Sequence, residues 1–103
     1  MDKIQQLKEF LAANPNDSFV QHAMALEYIK EGEELRAKEL FEKILTNDEN
    51  YIGSYYHLAK LLEKNGENDA AILTYEKGMK KAKEAGDQHT YNELQSAYED
   101  LIY

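Results

Sequence analysis

Thirty-four residues separate Gly32 from Gly66, Ala25 from Ala59, Ala37 from Ala71, and Phe41 from Tyr75. Met24 and Leu58, and Tyr28 and Leu62, keep the same offset. A fixed period of this length is the mark of an array built from one repeated supersecondary unit. Within each period apolar residues recur every three or four positions, and no alternation of the strand type persists. The spacing predicts six helices, over 2–13, 18–31, 34–47, 51–65, 68–85 and 88–102. Asp17 or Ser18 suits the cap of the second, Asn68 or Asp69 that of the fifth, and Asp87 that of the sixth. Gly32, Gly66 and Gly86 follow predicted helices, where a left-handed residue ends the turn. Each period is therefore a helix, a Gly turn and a second helix. One such hairpin cannot bury its apolar face alone, so neighbours must stack.

The positions within the period resemble the tetratricopeptide repeat (TPR), whose pattern runs W-x-x-L-G-x-x-Y, then A-x-x-x-F, then P. Residues 18–51 supply Gln21, Met24-Ala25, Tyr28, Ala37 and Phe41; residues 52–85 supply Tyr55, Leu58-Ala59, Leu62, Ala71 and Tyr75. Gln21 departs from the aromatic, and Glu49 and Lys83 stand where the closing proline belongs. One period before Glu49 is Pro15, so residues 2–17 match the second half of a preceding repeat. After Gly86 the register slips by about two residues, and Tyr91, Leu94 and Tyr98 match the first half of another. The resemblance implies an all-α fold, a short α-solenoid of antiparallel helix pairs. It would be a single TPR domain over 1–103, with a partial repeat at 2–17, repeats at 18–51 and 52–85, and a C-terminal capping helix at 86–103.

Charge and composition narrow the function classes. The formal net charge of −8 opposes non-specific binding to nucleic acid, which needs a basic face. Lys77, Lys80, Lys81 and Lys83 form a local basic run, read as a solvated helix face. The apolar runs are far too short to span a membrane. The chain has no cysteine, which excludes disulfides and thiolate metal sites. Its opening residues Met1–Gln6 lack the basic start and apolar stretch of a signal peptide, so the cytoplasm is the expected compartment.

His22, His57 and His89 are the candidates for acid–base chemistry near neutral pH. Glu63 or Glu93 could complete a metal site with His22 and His57, but no tight ligand motif is present. There is no phosphate-binding glycine loop, nucleophile elbow or paired-carboxylate motif. The expectation is a protein that is not an enzyme and needs neither cofactor nor metal.

In the TPR family ligands usually lie in a concave groove lined by the first helix of each repeat. Carried onto this chain, the resemblance implies a groove of Phe19, His22, Leu26, Ile29 and Lys30, then Tyr56, His57, Lys60 and Lys64, with Asn92 from the last helix. Ala23, Glu63, Glu93, Ser96 and Glu99 map to the same side. Phe19, Leu26 and Ile29 form a second apolar stripe on a helix that already has Met24, Ala25 and Tyr28 as its packing face. The stripe suits a partner's helix or extended segment, a homodimer contact, or a cover formed by Leu101-Ile102-Tyr103; alternatively its residues are core in a slightly different register. Tyr56, Lys60 and Lys64 share one helix face and suit an acidic side chain or a terminal carboxylate. TPR domains that bind chaperone tails hold the carboxylate with a Lys and an Asn on the first groove helix. His22 and Leu26 occupy those places here, so that ligand is not expected. The expected function is binding a peptide or helix of another protein, or else self-assembly through the stripe or the C-terminal helix.

Overall fold

A computed structural model describes residues 2–103. These form α1 (Lys3–Ala13), α2 (Ser18–Lys30), α3 (Glu34–Asn47), α4 (Gly53–Lys64), α5 (Asn68–Glu84) and α6 (Gln88–Ile102), with no strand among the described residues. All six expected helices are present. α4 starts later than the spacing suggests, with Ile52 as its N-cap and no side-chain cap.

The turns repeat as faithfully as the helices. At the end of α2 the Glu33 N–H donates to Tyr28 O at 2.8 Å and the Gly32 N–H to Ile29 O at 3.0 Å. At the end of α4 the same pair runs from Glu67 to Leu62 O at 2.8 Å and from Gly66 to Glu63 O at 3.0 Å. This is the Schellman arrangement, which needs positive φ at the second residue past the helix. Gly32 (φ 81°) and Gly66 (φ 79°) provide it without a Cβ clash.

Glu33 and Glu67 then serve as N-caps of α3 and α5, each without a side-chain cap bond. The expected cap of α5 at Asn68 or Asp69 is thus displaced by one or two residues to Glu67. The Schellman turn uses that residue to close α4 and leaves nothing between the two helices. Asp17 and Asp87 do cap, accepting from Val20 N at 3.0 Å and from Thr90 N at 3.1 Å.

The helices gather into two compact units, one ending at Asp48 and one spanning Glu49–Tyr103. In the first, α2 packs on both α1 and α3. Its interior holds Val20, Met24, Ala25 and Tyr28 of α2 with Ala37, Phe41 and Ile44 of α3. Ala25 and Ala37, both fully buried, leave room for α2 and α3 to approach. Burying a side chain such as Phe41 contributes roughly 1.5–3 kcal/mol.

The second unit repeats this with α4 on α5 and adds α6 against α5. Its buried residues include Tyr55, Leu58, Ala59, Leu62, Ala71, Tyr75 and Leu94. Gly78 is the point of closest approach: a Cβ there would lie 2.7 Å from Tyr55 Cβ and 3.0 Å from Leu94 Cδ1.

The repeat also explains Gln21. Tyr55 donates its hydroxyl to Glu49 O at 2.6 Å, six residues back. Gln21, one period earlier, donates Nε2 to Pro15 O at 2.9 Å, again six residues back. The amide thus replaces the aromatic at the family position while keeping the bond that ties the helix to the preceding turn. Its Oε1 is buried with no protein donor.

Candidate functional surfaces

In the first unit all five expected groove residues lie on α2. Val20, Met24, Ala25 and Tyr28 are buried on one side of this helix. Phe19, Leu26 and Lys30 point to roughly the opposite side at 100° per residue, with His22 and Ile29 beside them. Phe19 is 72% exposed and Leu26 37% exposed, whereas Ile29 is half-buried. His22 stands edge-on to the Phe41 ring at 5.4 Å, which fixes the imidazole against the hydrophobic interior. The stripe is not core. At the chain's end α6 remains helical through Ile102, and Tyr103 is 97% exposed.

In the second unit Tyr56, His57, Lys60 and Lys64 lie along one side of α4, the lysines exposed and Tyr56 and His57 half-buried, with buried Leu58 and Leu62 on the opposite side. Tyr56 stands edge-on to His57 at 5.6 Å, and the Lys60 ammonium lies 5.8 Å from the centroid of the Tyr56 ring. Lys60 Nζ also approaches Glu63 Oε2 at 3.8 Å. That carboxylate accepts a hydrogen bond from the Tyr75 hydroxyl, which rises from α5. Burial, reinforced by Glu63, pushes the Tyr75 phenol well above the ordinary tyrosine range. His57 titrates below the usual histidine value because it is partly buried, with Glu93 of α6 opposing that shift. Asn92 is exposed on α6, where it accepts from Gln88 Nε2 at 2.7 Å. The face as a whole offers an aromatic ring, two lysines and a tethered carboxylate side by side.

Two contributors were not evident from the pattern. Tyr75 was a packing position only; the signal was its hydroxyl, which replaces Phe41 of the previous repeat and requires a polar partner once buried. Glu49, standing where the repeat pattern has proline, draws in Lys77 at 3.5 Å and Lys81 at 3.2 Å. The basic run is accordingly not a uniformly solvated face: the Lys81 side chain is only 15% exposed and also lies 3.6 Å from Glu84. Among the described residues no group of three or more His, Asp or Glu is placed to hold a metal ion. No described helix is long and apolar enough to cross a membrane.

The family model for the tetratricopeptide repeat matches residues 20–51 and 52–84, more than half of the chain. The chain belongs to the TPR family. A tetratricopeptide repeat domain protein from Salinibacter ruber is 41% identical, with a TM-score of 0.81, covering 85% of this chain and 89% of that one in its solution structure. The crystal structure of the tetratricopeptide repeat domain protein from the same organism gives 41% identity and a TM-score of 0.80, over 82% and 94% of the two chains. A protein from Bordetella parapertussis shares the fold at 23% identity, with a TM-score of 0.83 over 98% of this chain and 88% of that one. No curated protein matches. The fold class is thus the all-α helical solenoid of TPR proteins, whose repeats generally act as non-enzymatic modules of protein–protein interaction.

Proposed function

We propose that this TPR chain is a cytoplasmic interaction module, not an enzyme, that binds a peptide or helical segment of a partner protein through the first helices of its repeats. The observation that supports this most is the second apolar face of α2: Phe19 and Leu26 stay exposed while the other side of the same helix is buried. Covering such side chains with a partner gains roughly 1.5–3 kcal/mol for each one fully buried. On α4, Tyr56, Lys60 and Lys64 supply an amphipathic ring and two cations, which suit an acidic side chain or terminal carboxylate of a partner. His22, Ile29 and Lys30 flank the contacts on α2 and His57 those on α4, and Asn92 of α6 is the remaining residue assigned to the binding surface.

The test is to select peptides from a displayed random library on the native chain and to titrate the selected peptides calorimetrically. A Phe19→Asp, Leu26→Asp variant that keeps its helical circular dichroism should lose at least about tenfold in affinity, the equivalent of 1.4 kcal/mol. Undiminished affinity in that folded variant would remove α2 from the binding surface. Selection of acidic peptides that then weaken with Lys60→Ala would support the role given to α4.

A further inference from the structure

We infer that α6 of one copy of this chain docks against α1 of a second copy, completing a helix pair from two half repeats. These surfaces are separate from the exposed faces of α2 and α4 on which the partner-binding reading rests.

The inference comes from comparing equivalent positions in the repeat. α1 is a second helix in register, because Pro15 stands one period before Glu49. Its Leu7 and Phe10 correspond to Phe41 and Ile44 of α3, which are fully buried. Leu7 is only half-buried, and Phe10 is 61% exposed. α6 is a first helix in register. Its Tyr91 and Tyr98 correspond to Tyr55 and Leu62 of α4, which are 2% and 4% exposed. Tyr91 and Tyr98 are only half-buried, and Ile102 on the same stripe is 37% exposed. Beside them, with Met79 of α5, lies an open depression of about 360 Å³. Each half repeat thus leaves uncovered the face that whole repeats bury. A face that meets only water is expected to be polar, and these carry Phe10, Tyr91, Tyr98 and Ile102.

Charge favours a second copy as the occupant. α6 carries Glu93, Glu99 and Asp100 and no lysine or arginine. α1 carries Lys3 and Lys8 against the single Glu9, although Lys3 also reaches Glu27 of α2 at 3.3 Å. Like helices would repel in an α6–α6 contact, whereas α6 on α1 pairs opposite signs. The closest crossing differs from that in a whole repeat. The fully buried alanines Ala59 and Ala71 are replaced by Gln95 on α6 and Lys3 on α1. These longer side chains hold the two helices farther apart, so the contact is weak and concentration-dependent. It is also heterologous, so each copy has one donor face and one acceptor face.

Two single variants at exposed positions, Phe10→Glu and Gln95→Lys, test this by sedimentation equilibrium from about 10 µM to 1 mM, a range suited to a small, weak interface. The native chain should gain mass with concentration and lose most of that gain in 1 M salt, where the screening length is about 3 Å. Each variant alone, with native helical content, should remain monomeric. An equimolar mixture should form a one-to-one heterodimer, because it retains one intact α6 face and one intact α1 face. A native chain that stays monomeric throughout would overturn the inference. So would either variant dimerising alone, or a mixture that fails to pair while the native chain associates; both point to a symmetric contact elsewhere.

Discussion

Gly78 shows how one missing atom positions three helices. It lies inside α5, where glycine weakens a helix by roughly 0.5–1 kcal/mol relative to alanine. The alanine methyl would meet Tyr55 Cβ at 2.7 Å, a backbone-linked atom that cannot rotate away, and Leu94 Cδ1 at 3.0 Å. Overpacking of this kind typically costs 1–3 kcal/mol and exceeds the helix-propensity gain. Gly78→Ala should therefore lower Tm, by a few degrees for a net loss of about 1 kcal/mol in a chain this size. A raised Tm would show that α4 and α6 yield more easily than their packing suggests. The equivalent residue one period earlier is the fully buried Ile44, so the pattern by itself would have favoured an apolar side chain here.

Among the elements, α2 and α5 differ in how they begin. Asp17 accepts from Val20 N and satisfies one of the amides exposed at the start of α2. Glu67, the N-cap of α5, instead accepts from Asn65 Nδ2 at 2.9 Å and has no cap bond. Asp17→Ala should cost about 1 kcal/mol in a denaturant titration, while Glu67→Ala should cost less. Equal losses would mean that the Asp17 bond adds nothing beyond local chain geometry. Helix existence and the capping aspartates were legible because they depend on neighbours three or four residues away. The missing cap of α5 was not, because the two-residue turn assigns Glu67 to both helices at once.

For the whole molecule, acid should act in two stages. His57 binds its proton less readily when folded than when unfolded, so the unfolded chain takes up more protons as pH falls below about 6.5. Stability is complete above that value and declines beneath it, and His57→Gln should flatten this first stage. Glu49, held low mainly by Lys81, and Asp87, held low mainly by the Thr90 amide, follow as pH drops below their ordinary values of 4.5 and 3.8. At the alkaline end the sign reverses for Tyr75. Its folded phenol keeps its proton, so stability falls as pH rises past the ordinary value of 10.0. Thermal melts from pH 3 to 11, at fixed ionic strength, would read all three stages; a Tm unchanged between pH 7 and 5 would contradict the assignment to His57. The 34-residue period by itself determined the helix order, the Gly turns and the repeated alanine contacts, since each follows from local spacing and from the need of every hairpin to cover an apolar face. Only the tertiary structure decided that Phe19 and Leu26 stay exposed, that Glu49 holds Lys77 and Lys81, and that Tyr75 reaches Glu63. Those outcomes depend on which side chains meet across separate helices, and no spacing along one helix specifies that.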